Sequence, residues 1–220
     1  MKVLGLDCAG FACSVAVLVD GAVLAERSET MERGQAEALL PMIGAALDTA
    51  RLEARALERI AVTLGPGSFT GLRTGLAAAR GLALAWDIPV TGVTSFEAAA
   101  AAVADSAARE PLLIALESKR AELYLQIFAE DGAGEPALVP RAAWSVVAPA
   151  GAFRVAGDGG ERFAEGLGRD GPILVRPRES LAVSAARLAG QRPASALPPE
   201  PLYLRAPDVS FPSRREKSAP

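Results

Sequence analysis

Residues 60–73, Ile60-Ala61-Val62-Thr63-Leu64-Gly65-Pro66-Gly67-Ser68-Phe69-Thr70-Gly71-Leu72-Arg73, carry a buried-strand pattern into a glycine-rich turn and the start of a helix. Three glycines in seven residues let the backbone turn sharply and point bare amides outward. The helix that follows, from about Thr70 to Trp86, adds its positive end, so an anion would be welcome there. Gly65, Gly67, Ser68, Thr70 and Gly71 are therefore candidate cofactor-binding residues. The loop is not a Walker A motif, because no lysine follows the last glycine at the required place, and it is not the dinucleotide G-x-G-x-x-G pattern. The competing reading is structural: a tight strand-to-helix connection in which Ser68 or Thr70 caps the helix.

Working outward, residues 2–7 and 11–19 are short apolar runs, and the second ends at Asp20-Gly21, a strong signal for a tight hairpin into a third strand over residues 22–28. Asp7 ends the first strand. A carboxylate at that place can address a metal-bound phosphate, or it can satisfy amides in the turn through Ala9-Gly10. Apolar positions Ala36, Leu39, Leu40, Ile43 and Leu47 fall at helical spacing from Gly34 to Ala50, with Pro41 as a kink or a shifted start. A strand over Pro89 to Val93 follows helix 70–86, and Ser95 with Glu97 opens an alanine-rich helix to about Ala108. After Pro111 the pattern repeats in outline, with strands over 112–116, 121–128 and 153–156, the turn Gly157-Asp158-Gly159-Gly160, a short helix through Leu167, a strand near 173–175 and a helix over 180–189. This divides the chain into lobes 1–109 and 110–210, with 211–220 as a loose tail beyond the ordered-looking Pro201-Leu202-Tyr203-Leu204-Arg205.

The composition excludes several chemistries. The chain of 220 residues has no histidine, which removes the Ser-His-Asp and Cys-His triads, the two-His metal helix and the usual base near neutral pH. A net charge of -3 argues against autonomous nucleic-acid binding. Cys8 and Cys13, five residues apart, are neither a zinc set nor a disulfide framework and read as buried free thiols. With no signal peptide and no spanning segment in the sequence, a soluble cytoplasmic protein is expected.

The helices 34–50 and 70–86 present small and aliphatic faces, and the second is apolar nearly all round. Covering their own sheet accounts for part of that surface; a second protein on the outer side would account for the rest. The candidate interface residues are Leu39, Leu40, Ile43 and Leu47 on the first helix and Leu72, Arg73, Leu76, Arg80 and Ala83 on the second.

Taken together, Leu4-Gly5-Leu6-Asp7-Cys8-Ala9, Cys13-Ser14-Val15-Ala16, Arg33-x-x-x-Glu37-x-Leu39-Leu40-Pro41, the loop 65–73, Gly81-Leu82-Ala83, Glu117-Ser118-Lys119-Arg120-x-Glu122-x-Tyr124 and Pro201-x-Tyr203-Leu204-Arg205 resemble the TsaB (YeaZ) family. The resemblance is dense through residue 96 and thinner after 110. It implies an α/β, actin-like and sugar-kinase-like fold of two lobes, each a mixed sheet flanked by helices. It also implies a part in making N6-threonylcarbamoyladenosine on tRNAs that read ANN codons, as a non-catalytic scaffold. The implied partners are TsaD, which performs the transfer, and the ATPase TsaE at their junction. A homodimer through the first-lobe helices is implied when the protein is alone, and tRNA would be reached only through the complex. No cofactor of its own is implied; a weakly held nucleotide, ATP or ADP, would sit at or near the partner interface. Where the family has His-Ser-Glu before Leu-Leu-Pro, this chain has Gln35-Ala36-Glu37, so any interface contact made there lacks a titrating group. The alternatives are a small-molecule kinase or ATPase using Asp7 and the 65–71 loop, and a peptidase, which the missing histidines disfavour.

Overall fold

The computed structural model describes residues 1–105, 107–168, 170–193 and 199–205. The first lobe runs β1 (Lys2–Asp7), β2 (Ala12–Val19), β3 (Ala22–Thr30), α1 (Gln35–Ala50), β4 (Arg59–Thr63), α2 (Phe69–Trp86), β5 (Val90–Val93) and α3 (Ser95–Ala102). The hairpin forms as its turn residues dictate: Asp20 and Gly21 take left-handed φ of 50° and 81°, and Val19 pairs with Ala22 across the two-residue loop. Pro41 lies inside α1 on its exposed side and neither ends the helix nor shifts its start. α3 stops at Ala102, short of the expected Ala108, because the Val103 carbonyl accepts from the Arg154 guanidinium and the chain turns at Asp105 toward the second lobe. Its cap is Thr94, one residue before Ser95, in a reciprocal capping box with Glu97.

The second lobe runs β6 (Leu112–Glu117), β7 (Leu123–Ala129), β8 (Gly132–Ala133), β9 (Ala137–Val139), α4 (Trp144–Val147), β10 (Phe153–Ala156), α5 (Gly160–Leu167), β11 (Pro172–Leu174) and α6 (Leu181–Gln191). The two sheets share one plan. The orders β3-β2-β1-β4-β5 and β8-β7-β6-β10-β11 each join three antiparallel strands to two parallel ones, with β9 added on β7.

Burial follows from that plan. α1 and α2 cover one face of the first sheet through Leu39, Ile43 and Leu76 against Leu4, Leu6, Val15 and Ile60. In the second lobe Trp144, Phe153 and Phe163 fill the face under α4 and α5. α3 lies between the sheets: Phe96 and Ala99 meet Leu112 and Ile114 of β6, while Ala98 faces the first sheet's other cluster. The helix expected to stay in the second lobe, α6, instead crosses back and packs on β1, β2, β4 and α3. Its alanines 182, 185, 186 and 189 make the approach close, and a Cβ at Gly5 would fall 2.1 Å from the Ala182 carbonyl oxygen. The proposed tail 211–220 lies outside the described residues. No helix among the described residues is long and apolar enough to cross a membrane.

Candidate functional site

The loop between β4 and α2 owes its glycines to a neighbour. Gly65 holds φ +97°. A Cβ at Gly67 would come 2.2 Å from the Ala9 carbonyl oxygen, and one at Gly71 1.9 Å from that of Cys8. The Ser68 amide donates to the Ala9 carbonyl at 2.7 Å, and its hydroxyl accepts from the Gly71 amide at 3.3 Å as the cap of α2. The loop is thus moulded on the β1–β2 connection, which is the structural reading of its composition. Ser68 and Thr70 border a cavity beside it, Gly67 borders both that cavity and the cleft between the lobes, and Gly65 and Gly71 border neither.

Asp7 lies at the floor of the inter-lobe cleft, of about 330 Å³, and is 2% exposed. Its Oδ1 accepts from the Ala9 amide at 3.0 Å and from the Thr63 hydroxyl at 2.6 Å. Burial pushes its carboxyl up to about 6; the two hydrogen bonds oppose this and the charge of Asp158 adds to it. Burial also raises Asp158, whose Oδ1 accepts from the Glu117 amide at 2.8 Å. Glu117 is raised by burial too, against an ion pair with Arg162 at 3.0 Å. The cleft therefore gathers carboxylates from both lobes, but among the described residues no group of three or more His, Cys, Asp or Glu has a metal-holding arrangement. Of the two readings open for Asp7, the geometry supplies the turn-organising one. Cys8 and Cys13 are buried free thiols, Sγ to Sγ 3.6 Å.

The nine candidate interface residues divide. Leu39, Ile43, Leu47, Leu72, Leu76 and Ala83 are buried in the chain's own core, because they form the stripes of α1 and α2 that face the sheet. Leu40, 56% exposed, and Arg73 and Arg80 lie outside. Arg80 donates to the Pro199 carbonyl at 2.6 Å, and Arg73 sits 3.6 Å over the Phe69 ring. Leu84, 87% exposed on α2, escaped the sequence reading; it falls one position beyond the core stripe 72-76-79-83, and that offset is the signal that marks it as outward. Gln35 is buried, and its amide donates to the Met31 carbonyl at 3.1 Å.

Comparison with known proteins places these features in context. The family model of TsaD, tRNA N6-adenosine threonylcarbamoyltransferase, matches residues 23–142. The tRNA threonylcarbamoyladenosine biosynthesis protein TsaB of Escherichia coli (strain K12) is 29% identical over 93% of this chain and 95% of its own length. The solved structure of YeaZ from Pseudomonas aeruginosa superposes with a TM-score of 0.73 at 29% identity, covering 86% of this chain and 91% of that one. At the level of fold alone, the activator of the 2-hydroxyisocaproyl-CoA dehydratase from Clostridium difficile superposes with a TM-score of 0.55 at 9% identity over 87% of this chain and 95% of its own. The two mixed sheets flanked by helices are the two-lobed fold expected from the sequence, and these solved structures share it.

Proposed function

This chain belongs to the TsaB/YeaZ family, which takes part in tRNA threonylcarbamoyladenosine biosynthesis, and on that footing we propose that it is the non-catalytic scaffold that binds and supports TsaD in the cytoplasm. The observation that carries the reading is the outer side of α1 and α2, where Leu40 and Leu84 stand exposed while the inner stripes are fully used by the sheet. Burying one such leucine contributes about 1.5–3 kcal/mol, so a surface of this kind favours association. TsaE would join at the junction of the two proteins, tRNA would be reached through the assembly, and the free chain would pair with itself through the same helices.

A non-catalytic role agrees with the site. With no histidine in the chain, imidazole chemistry is excluded, and Oδ1 of Asp7 is engaged by Thr63 and Ala9 in organising the β1–β2 turn. The scaffold binds no cofactor of its own; a weakly held ATP or ADP would belong to the partner junction. The test mixes the full chain with its cognate TsaD, with and without TsaE and nucleotide, and measures mass in solution. A heterodimer is expected at tens of micromolar or below, roughly what an interface of ordinary size supports. Free components under all four conditions would refute the scaffold role.

A further inference from the structure

The cleft between the lobes, of about 330 Å³, falls at the lower end of the roughly 300–1,000 Å³ of small-ligand sites. Its first-lobe wall is a row of oxygens set by strand register. Asp7 on β1 stands opposite Ser14 on β2, and Ser14 opposite Ser28 on β3, so the three side chains share one face of the sheet; all three line the cleft. The second lobe supplies Glu117 and Asp158, and the segment leading into α6 supplies Glu179. The Asp158 Oδ2 reaches across to the β1–β2 turn, 3.6 Å from where a Cβ on Gly10 would stand.

Two features of this lining have no use within the chain. Among the described residues three buried hydroxyls have no hydrogen-bond partner, those of Ser14, Ser95 and Thr91, and the first two belong to residues that line the cleft. Ser14 and Ser95 are 1% and 2% exposed; a hydroxyl buried without a partner is destabilising, so two at one cavity point to a polar occupant.

The second feature is uncompensated negative charge. Four carboxylates line the cleft, and no lysine or arginine does. Glu117 and Glu179 have arginine partners, Arg162 and Arg187, each at 3.0 Å. Asp7 and Asp158 have no ion pair among the described residues. Both bonds to Asp7 fall on Oδ1, and Asp158 is held by the backbone amides of Glu117, itself and Gly159. Lys119, whose charge acts on Asp158, lies 5.1 Å from the Phe11 ring centroid and lines the neighbouring cavity. Burial raises both aspartates, and the charge of Asp158 raises Asp7 further, so a cation between them would relieve both.

The same lining selects among occupants. Four carboxylates with no cation beside them repel phosphate. No group of three or more His, Cys, Asp or Glu among the described residues has a metal-holding arrangement, and Val103, Leu116 and Leu181 would strip a hydrated ion of water without replacing it. Water would satisfy the hydroxyls but not the charge. A primary ammonium carries three N–H donors for the two aspartates and Ser14, and a short hydrocarbon body suits the apolar remainder.

We propose that the inter-lobe cleft binds a small organic cation, a primary ammonium held by Asp7, Asp158 and Ser14 with its apolar body against Val103, Leu116 and Leu181. The ligand is free in solution, and its binding neither needs TsaD nor rests on the scaffold reading.

The isolated full chain is titrated with n-hexylamine at pH 8, where the amine is protonated and Asp7 ionised, and amide resonances are followed. Hexanol and hexanoate serve as the neutral and anionic controls of the same length. The ammonium should bind at about millimolar or tighter, with shifts centred on the β1–β2 turn, residues 157–158 and the start of α6. Hexanol should bind at least about tenfold more weakly, and hexanoate not at all. Asp158→Asn keeps an acceptor for the Glu117 amide and should weaken binding about tenfold. Ser14→Ala should weaken it about threefold while leaving the melting temperature unchanged or higher, a combination that a hydroxyl serving only the fold would not give. At pH 5 protonation of Asp7, whose carboxyl sits at about 6, should weaken binding about tenfold, and Asp158, Glu117 and Glu179 around it act in the same direction. Hexanol binding as tightly as the ammonium, no ammonium binding at tens of millimolar, or an affinity indifferent to pH and to both substitutions overturns the proposal. Because TsaD is absent from the measurement, failure here leaves the scaffold reading standing.

Discussion

The Thr63 hydroxyl donates to the carboxylate of Asp7 at 2.6 Å across the parallel pair β1–β4, at the floor of the cleft. That bond and the Ala9 amide do not offset the burial of the charge, and the carboxyl sits at about 6 instead of 3.8. The fold therefore prefers the protonated form. Its contribution to stability is complete below pH 3.8, declines as pH rises toward about 6, and is absent above it. A displacement of this size corresponds to roughly 3 kcal/mol at most. Asp7→Asn keeps an acceptor for both donors and cannot ionise, so it should raise the melting temperature at pH 7.5 and flatten its fall between pH 4 and 6. A variant that melts below the parent at pH 7.5 would show that the ionised carboxylate is needed.

Gly71→Ala tests why the loop is glycine-rich. Its Cβ would overlap the Cys8 carbonyl oxygen at 1.9 Å, and the obstacle is backbone, which cannot swing aside like a flexible side chain. The helix itself would tolerate alanine better than glycine, by about 1 kcal/mol. The clash should win, with a loss of about 1–3 kcal/mol or more in denaturant unfolding. Gly81→Ala is the control: on the same helix, with open space around its Cβ, it should be neutral or stabilising.

These contrasts also mark what could be read without coordinates. The strands β1 to β5 and the helices α1 and α2 follow from local signals: apolar runs, the Asp20-Gly21 turn, helical spacing. Which side of α2 faces the sheet is set by a difference of one residue between Ala83 and Leu84, finer than the apolar content of the helix reveals. The crossing of α6 is less legible still, because Gly5 and Ala182 meet only through the tertiary fold. The segments around Arg73, Lys119 and Tyr203 were visible as motifs, but their convergence on one cavity was not. α4, four residues long, carries too short a period to be read at all.

Arg59 shows how that crossing is secured. It is nearly buried on β4, and its Nη1 donates to the carbonyls of Ala189 and Arg192, which end α6. The guanidinium thus serves the C-terminal carbonyls that a helix leaves unpaired. Arg59→Met keeps most of the apolar stem and removes the donors, and should cost about 1.5–3 kcal/mol. Hydrogen exchange should rise first in the last turn of α6; uniform loosening of the whole lobe would show that the bond is not local.

Leu84→Glu separates association from folding. The side chain is 87% exposed on α2, so its replacement should change stability by no more than about 0.5 kcal/mol. If TsaD covers this side, the same change buries a charge in place of a leucine and loses at least the transfer energy of about 1.5–3 kcal/mol, a tenfold or larger weakening. Leu40→Glu on the neighbouring helix should act likewise, whereas Val146→Glu, an exposed apolar position on the second lobe, should leave binding unchanged. Equal effects from all three would mean that added negative charge weakens the encounter in general, and the α1–α2 surface would lose its claim.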